Sequence, residues 1–306
     1  MTLTELKYIV AVARERHFGR AAEACFVSQP TLSVAIRKLE DELGVTLFER
    51  GGSEVGVTPI GQRIVIQAQK VLEESANIKE IARQGHDPLA GALRVGVIHT
   101  VGPYLLPRLV PAQIELTPQM PLVLQENFTV RLLELLRQGE IDCAIMALPL
   151  PESGLIVQPL YDEPFIVAVP QTHEMAKLKT IDAHDLKKQN MLLLGSGHCF
   201  RDQVLEVCPE LSRFSATSDG IQRTFEGSSL ETIRHMVAAG IGVTVLPMSA
   251  VPEASSETLP EQGLLRYVPF TGLAPERRVV LAWRRSFPRL TAIEALAQAV
   301  YACGLP

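Results

Sequence analysis

The sequence has no long apolar run, no dense set of cysteines and no excess of basic residues. Its longest apolar stretches, such as residues 236–247, are interrupted by glycine and fall well short of the roughly 20 residues that a membrane helix requires. Glu5 and Lys7 come early, and the apolar run of residues 8–13 is too short for a signal-peptide core. We therefore expect a soluble, cytoplasmic protein without a membrane partner.

The cysteines are few and odd in number. Five are present, Cys25, Cys143, Cys199, Cys208 and Cys303, and their wide spacing excludes the small secreted scaffolds that disulfides hold together. In a reducing cytosol, a bridge between any two of them would be catalytic or sensory. No cluster of ligand residues indicates a metal, and we expect neither a metal nor a cofactor.

The charge gives no sign of a nucleic-acid partner. The formal net charge is −5, and residues 1–50 hold seven basic and seven acidic side chains. Binding through a basic patch would require a local excess of lysine and arginine. A DNA-binding role must therefore rest on the geometry of a motif.

Apolar spacing in the first 50 residues predicts a tight helix-turn-helix. Apolar residues recur at helical intervals over residues 3–13, and a second short helix is expected over residues 19–25. Ser28 is a good N-cap, Pro30 is tolerated in a first turn, and Gly44 ends the third helix. The composition, 47% hydrophobic over 306 residues, leaves material for two or three compact units in all.

A hairpin and one long helix follow. Residues 45–50 and 55–57 suit two strands joined by a glycine turn, as in a wing. Thr58-Pro59 suits a helix start, and the apolar residues between 60 and 82 form one stripe. A solitary exposed stripe would be an aggregation liability, so we expect this helix to pair with its copy in a second subunit. Residues 85–91 are the best candidate for a hinge.

From residue 93 onwards strands alternate with helices, which predicts a parallel sheet. The expected strands are residues 93–98, 123–125, 143–147, 165–169, 191–194, 224–226, 242–246 and 278–283. The expected helices are residues 104–116, 130–138, 200–207 and 290–303, with a further helix that ends at Ala239. Ser228 and Glu231 form a predicted capping box at the start of that further helix.

In a helix-turn-helix the second helix enters the major groove, so the residues opposite its buried stripe should face bases or phosphates. These candidates are Gln29, Pro30, Thr31, Ser33, Val34, Arg37 and Lys38. Gln reads adenine, and Arg or Lys contacts guanine or phosphate. A capped amphipathic helix is also common in any helical bundle, so the periodicity by itself leaves DNA binding open.

A long motif favours DNA binding over an ordinary helical bundle, because it resembles that of a known family. Residues 21–51, AAEACFVSQPTLSVAIRKLEDELGVTLFERG, resemble the N-terminal signature of LysR-type transcriptional regulators. The matching features include the paired alanines, Ser28-Gln29-Pro30, and Leu47-Phe48-Glu49-Arg50 before the wing. The wing departs from the pattern, because Gly51-Gly52-Ser53-Glu54 holds no basic residue. This puts phosphate contacts by the wing tip in doubt.

The resemblance implies a mixed fold. An all-α winged helix-turn-helix over residues 1–58 and a linker and dimerisation helix over residues 59–84 would lead through the hinge to an effector domain over residues 92–306. That domain would be α/β and two-lobed, like a periplasmic binding protein. Subdomain I is expected near residues 92–162 and 268–306, and subdomain II near residues 163–267.

A second resemblance lies in the effector half. Residues 195–208, GSGHCFRDQVLEVC, are similar to the sensor loop of the peroxide-responsive members of the family. The resemblance implies that Cys199 is the peroxide-reactive thiol and Cys208 the resolving thiol. A position at a helix N-terminus beside His198 and Arg201 favours a thiolate at Cys199 independently. Without that resemblance, two unremarkable buried thiols would be the better interpretation.

The spacing of the pair has a structural consequence. Nine residues along one helix separate two α carbons by about 13 Å, whereas a disulfide requires about 5.5–6 Å. Oxidation would therefore have to refold this segment, which would give a two-state switch.

Five more residues are candidates for a peroxide pocket. Thr100 follows the first effector strand and Thr129 precedes a helix, positions at which βα loops meet ligands. The family resemblance adds His198, Asp202 and Arg266 as groups that orient the pocket. The alternatives are a helix cap for each threonine and solvated charges for Asp202 and Arg266.

The resemblance also implies the partners: double-stranded promoter DNA, hydrogen peroxide, a cellular disulfide reductant, RNA polymerase and further copies of the chain, as a dimer and then a tetramer. We expect a regulator that activates oxidative-stress defence genes and represses others, not an enzyme. One alternative is a regulator of the same family whose cleft binds a small metabolite. Another is a thiol peroxidase, against which the N-terminal motif argues.

Overall fold

The structure, a computed structural model, describes residues 1–49, 55–84, 89–150, 154–207, 224–227, 229–252 and 263–305. In this part of the chain no helix combines the length and the apolar character needed to cross a membrane. An N-terminal helix-turn-helix is followed by one long helix and then by a two-lobed α/β unit, as the sequence predicted.

Three helices, α1 (Leu3–Glu15), α2 (Phe18–Ala24) and α3 (Gln29–Leu43), form the N-terminal unit. Thr2 and Glu5 cap α1 reciprocally, and the Ser28 hydroxyl accepts a hydrogen bond from the Thr31 amide. Gly44 ends α3 with a φ of +67°, which glycine adopts without strain. The apolar faces meet in one core that includes Ile9, Val12, Leu32, Ile36 and Leu39.

The wing strands are shorter than predicted. β1 (Phe48–Glu49) pairs antiparallel with β2 (Gly56–Val57), and residues 50–54 lie outside the described part of the chain. The Glu40 carboxylate accepts hydrogen bonds from the amides of Leu47 and Phe48, which ties β1 to α3.

The long helix is α4 (Pro59–Gln84), a single element as predicted. Ala68 on α4 packs into the core of the N-terminal unit. Apolar side chains elsewhere on the helix are exposed, with Ile66 44% and Ile78 70% accessible. An exposed apolar face of this kind is consistent with the predicted pairing of two linker helices, which stays a prediction.

The first lobe is built on a mixed sheet. β3 (Leu93–Ile98) lies between β4 (Leu122–Asn127) and β5 (Cys143–Ala147), all parallel. β11 (Glu276–Arg284) continues the sheet antiparallel to β5, and β6 (Leu155–Pro170) runs antiparallel to β11. The helices α5 (Gly102–Leu116), α6 (Thr129–Gln138) and α10 (Leu290–Ala302) belong to this lobe.

The second lobe begins on the same strand. Beyond Pro164, β6 leaves β11 and pairs antiparallel with β9 (Thr244–Pro247) and β10 (Leu265–Pro269). A parallel pair, β7 (Met191–Leu194) and β8 (Thr224–Gly227), accompanies them. The helices of this lobe are α7 (Ala183–Leu186), α8 (Cys199–Val207) and α9 (Leu230–Ala238).

Two predictions for this half were wrong. The sheet is parallel only at β3, β4, β5 and in the β7–β8 pair, because β6 and β11 run back across the lobes. The N-cap of α9 is Ser229, whose hydroxyl accepts from the Thr232 amide, so the helix starts one residue later than the predicted Ser228 cap would place it. Ser228 itself lies outside the described residues.

Candidate functional site

Cys199 is the first residue of α8, at the junction between the two lobes. The preceding loop turns at Gly197, whose φ of +100° is accessible to glycine without strain. The Arg201 amide donates to the His198 carbonyl at 3.0 Å, so the first turn of the helix forms directly around the cysteine. The thiol is half-buried, and it also contacts the core of the first lobe.

A small pocket surrounds this thiol. It measures about 10 Å³, close to the volume that a single water molecule requires. The residues around it are Ile98, His99, Thr100, Asn127, Phe128, Thr129, Gly197, His198 and Cys199. Such a space suits only a very small ligand, and it is far smaller than the several hundred Å³ of a typical metabolite pocket.

Three aromatic rings pack together at this pocket. The ring centroids of Phe128 and His198 lie 4.7 Å apart, and those of His99 and Phe128 lie 5.2 Å apart. His198 is only 6% accessible. The rings join the β3 side of the first lobe to the loop that carries Cys199.

The two predicted threonines are both buried in this pocket. Thr100 comes directly after the loop residue His99, and Thr129 is the first residue of α6. Among the described residues, the Thr129 hydroxyl oxygen finds no hydrogen-bond partner. A buried polar group without a hydrogen-bond partner lowers the stability of the folded protein by about 1–3 kcal/mol. This hydroxyl is therefore suited to bind a small polar ligand beside Cys199.

The structure does not bring the other two predicted charges into the pocket. Asp202 is exposed in the first turn of α8, because the buried face of that helix carries Phe200, Gln203 and Val204. Arg266 is exposed on β10, where it alternates with the buried Leu265. Both are absent from the residues that line the pocket. Cys208, the predicted resolving thiol, lies outside the described residues.

Sequence reasoning missed a buried ion pair beside the pocket. Arg277 on β11 and Glu163 on β6 approach to 2.6 Å, and both side chains are fully buried. Arg277 Nη1 donates to the Thr100 hydroxyl at 2.8 Å, and Nη2 donates to the Thr100 carbonyl at 2.9 Å. The available signal was the alternation of β11, which places Arg277 on the same face as the buried Val279.

The other described cysteines are held as thiols. Burial raises the pKa of the Cys143 thiol far above its ordinary value, and the Asp142 carboxylate adds to the shift. Burial also raises the pKa of Cys25 and of Cys303, against smaller opposing effects of nearby basic side chains. Because the thiolate is the reactive form, none of these three is suited to rapid oxidation.

The burial of Cys143 predicts how it reacts with an alkylating reagent. With iodoacetamide at neutral pH, the folded protein is expected to be modified at Cys143 only after unfolding in guanidinium, because burial excludes the reagent and suppresses the thiolate. Peptide mass spectrometry of native and unfolded samples measures the effect. Rapid modification of Cys143 in the native protein would contradict it.

The predicted DNA-contact residues lie on one face of α3. Gln29, Pro30, Thr31, Val34, Arg37 and Lys38 are exposed, and Ser33 is half-buried. The opposite face, with Leu32, Ile36 and Leu39, is completely buried against α1 and α2. The helix therefore presents a polar surface that is free to enter a groove.

Comparison with known proteins covers both the exposed face of α3 and the Cys199 pocket. Residues 3–62 match the model of the bacterial regulatory helix-turn-helix protein, lysR family, and residues 86–302 match that of the LysR substrate binding domain. The chain belongs to the LysR family. The two matches take in α3 and the Cys199 pocket, respectively.

Relatives within the LysR family are similar in sequence to this chain over almost its whole length. The DNA-binding transcriptional dual regulator OxyR of Escherichia coli strain K12 is 42% identical over 302 residues, which cover 99% of this chain and 95% of the relative. The hydrogen peroxide-inducible genes activator of Haemophilus influenzae is 40% identical over 98% of this chain and 96% of its own length.

Solved structures agree with the fold. A full-length OxyR variant from Pseudomonas aeruginosa is 52% identical, covers 99% of this chain and 96% of its own, and superposes with a TM-score of 0.81. A Corynebacterium glutamicum OxyR mutant with bound hydrogen peroxide is 35% identical over 99% of this chain and 92% of its own, with a TM-score of 0.63.

The exposed face of α3 gives a prediction for this LysR-family chain. Replacing Arg37 with alanine is expected to weaken DNA binding by about 1–3 kcal/mol, because an exposed side chain on the second helix of a helix-turn-helix is expected to face the groove. Titrations at several salt concentrations separate two cases: loss of a base contact relaxes specificity, and loss of a phosphate contact lowers the salt slope by about one. Lys7→Ala, an exposed position on α1, is the control. Equal losses in both variants would contradict the assignment.

Proposed function

We propose that the chain is a transcriptional regulator that binds promoter DNA and senses hydrogen peroxide through a reversible bridge between Cys199 and Cys208. The observation that carries this proposal is the pocket at Cys199, which measures about 10 Å³ and contains the unpartnered Thr129 hydroxyl. A pocket of this size excludes most metabolites from the space beside Cys199, so the thiol itself is reached only by very small molecules.

The chemistry begins with the Cys199 thiolate. It attacks one oxygen of hydrogen peroxide, a sulfur–oxygen bond forms, the oxygen–oxygen bond breaks, and the departing hydroxide takes a proton to become water. The Cys208 thiol then attacks the sulfenic sulfur, and a second water leaves. Two thiols have given two electrons to one peroxide. A cellular dithiol reverses the bridge by exchange.

Formation of the bridge changes the fold of α8. The axial rise from Cys199 to the end of this helix at Val207 is about 12 Å, whereas two bridged α carbons lie about 5.5–6 Å apart. At least part of α8 must therefore unfold on oxidation. Phe200 and Val204 on this helix are buried in the second lobe, so unfolding repacks the core and gives the protein two distinct states.

The domains and partners follow from this function. Residues 1–58 bind DNA, residues 59–84 pair with a second subunit, and residues 92–306 sense the oxidant. The hinge assigned to residues 85–91 rests on the sequence alone, because residues 85–88 lie outside the described residues. Pairs of dimers form a tetramer in the cytoplasm, and its redox state alters the contact with RNA polymerase, which activates some defence genes and represses others. Cys199 and Cys208 react, and Thr100, Thr129 and His198 form the pocket. Asp202 and Arg266 are assigned to orienting the pocket by the family resemblance alone, since neither lines it.

One experiment tests both halves of the proposal. Reduced and peroxide-treated protein are each used to select binding sites from random duplex DNA, and the Cys199–Cys208 bridge is measured by peptide mass. We expect selected operators whose footprints differ between the two redox states, together with a bridge in the treated sample. Identical footprints without a bridge would contradict peroxide sensing, and failure to select any site would contradict DNA binding.

A further inference from the structure

A cleft of about 590 Å³ lies between the N-terminal unit and the first lobe. Its lining includes Arg16 directly after α1, Val57 of the wing strand β2, Val65 of α4 and Arg131 of α6. Among the described residues, it shares none with the Cys199 pocket. Its volume is typical of sites that hold small organic ligands. This space is called the junction cleft below.

The polar part of the lining is basic. Its arginines are Arg14, Arg16, Arg131 and Arg137. Among the described residues of the lining, Glu134 is the one acidic side chain, and it lies 2.9 Å from Arg131. Arg14 lies 3.0 Å from Glu15 and 3.4 Å from Glu140. Positive charge is therefore in excess in the cleft, and guanidinium groups bind carboxylates and phosphates through paired hydrogen bonds.

Arg16 has a backbone conformation that the fold does not require an arginine to adopt. It caps the end of α1 with a φ of +48°, in the left-handed region that glycine occupies without strain. Its side chain is exposed, and in the described part of the chain no carboxylate forms an ion pair with it. A strained residue of this kind points to a role for its side chain, and that side chain lines the junction cleft.

The other part of the lining is apolar. It includes Val10 on α1, Val57 on β2, and Val65 and Ile66 on α4. All four side chains keep part of their surface accessible to solvent, and Ile66 is 44% exposed. Covering such a wall with an apolar group releases water from it and favours binding.

The predicted pairing of two linker helices uses a different face of α4. Ile60, Val71 and Ile78 are exposed, and with about 3.6 residues per turn they lie within about 20° of one another around the helix. Val65 lies about 120–140° away from all three. A second α4 packed on the stripe of Ile60, Val71 and Ile78 therefore leaves the junction cleft open to a ligand.

We propose that the junction cleft binds a small organic anion with an apolar body. The guanidinium groups, above all that of Arg16, bind a carboxylate or phosphate head, and the wall of valine and isoleucine side chains contacts the body. The occupant contacts the N-terminal unit and the first lobe at the same time. Because no thiol takes part, this site is independent of the reaction proposed at Cys199.

The first test is isothermal titration calorimetry of the reduced, full-length chain with octanoate and with octyl phosphate, which carry the two possible head groups. We expect saturable binding and competition between the two anions for one site. 1-Octanol and octylammonium have the same apolar chain without a negative charge, and they should bind about 10-fold more weakly or worse, because they lose a hydrogen bond to a charged group. Failure of both anions to bind, or equally tight binding of 1-octanol, would overturn the proposal.

Three variants locate the site. Arg16→Gly should weaken the binding of both anions about 10-fold, while chemical denaturation shows no loss of stability, because glycine takes the positive φ without strain. Arg131→Gln tests the opposite wall, and it remains available if Arg16→Gly does not fold. Arg63→Gln is the matched control, since Arg63 is exposed on α4 and does not line the cleft. Unchanged affinity in the first two variants, or an equal loss in Arg63→Gln, would mean that the anions bind elsewhere and would overturn the assignment.

A last variant separates this site from the proposed sensor. Cys199→Ser should bind octanoate as tightly as the wild type does, because the junction cleft does not include the thiol. Loss of octanoate binding in Cys199→Ser would assign the ligand to the Cys199 pocket and overturn the proposal. The response of the wild type to peroxide is measured separately, so failure of peroxide sensing and failure of anion binding are distinguishable.

Discussion

Replacing Cys199 with serine is expected to abolish the response to hydrogen peroxide while leaving DNA binding in the reduced form unchanged. Serine fits the same site, but its hydroxyl is not a nucleophile toward peroxide at neutral pH, so no oxidised intermediate and no bridge can form. The variant should bind its operator with one footprint, that of the reduced wild type, at every peroxide concentration.

The measurement is operator footprinting and transcription in vitro across a peroxide titration. Cys303→Ser is the control, because Cys303 is also a half-buried thiol but lies at the end of α10, where it donates to the Ala299 carbonyl. It should respond like the wild type. A peroxide-dependent footprint in Cys199→Ser would remove the central thiol from the proposed mechanism.

The N-terminal unit was predictable from local signals. Apolar spacing, the Ser28 cap and Gly44 place α3 within a residue of its observed bounds, because each of these signals acts within one or two turns of the helix. The long helix α4 was equally clear from its proline start. Thr100 and Thr129 were predictable as neighbours because they follow β3 and β4, two parallel strands of one sheet. His198 and Cys199 follow β7 in the second lobe, and their place at the pocket was expected from the family resemblance.

The remainder depends on contacts between distant parts of the chain. The first half of β6 contains Pro159, and β6 passes between the lobes near Pro164. Proline is uncommon inside strands, so this part of the sequence resembles a turn or loop more than a strand. The pairing of Glu163 with Arg277 joins residues 114 positions apart, which no local period records. The rotation of α8 about its axis, set by the burial of Phe200, decided that Asp202 faces solvent.

The Cys199 pocket and the long helix α4 are connected through α6 and through Arg284 on β11. This helix begins at Thr129 in the pocket and ends at Gln138, followed by Gly139 with a φ of +69°. Arg284 on β11 donates to the carbonyls of Leu136 and Ile141 around that end. Its Nε lies 2.8 Å from a carboxylate oxygen of Glu73 on α4, and both side chains are about nine-tenths buried.

Replacing Glu73 with alanine is therefore expected to destabilise the protein by about 3 kcal/mol, because it leaves the Arg284 guanidinium mostly buried without its counter-charge. The Ser286 hydroxyl and the Gln69 amide, which both donate to Glu73, lose their acceptor as well. Chemical denaturation of the reduced protein measures the loss. The exposed Lys70→Ala on the same helix should change the stability by less than about 0.5 kcal/mol.

A double-mutant cycle then decides whether the ion pair is the cause. Arg284→Ala should be destabilising by itself, and the double variant should be more stable than the sum of the two losses predicts, because removing both partners leaves no buried charge unpaired. The same variants test the connection between the lobes and the DNA. With the contact between α6 and α4 removed, the footprints of the reduced and oxidised proteins should become alike, although the Cys199–Cys208 bridge still forms. Additive stability losses would show that the ion pair is not the cause of the destabilisation. Footprints that still differ as in the wild type would show that this contact does not carry the signal.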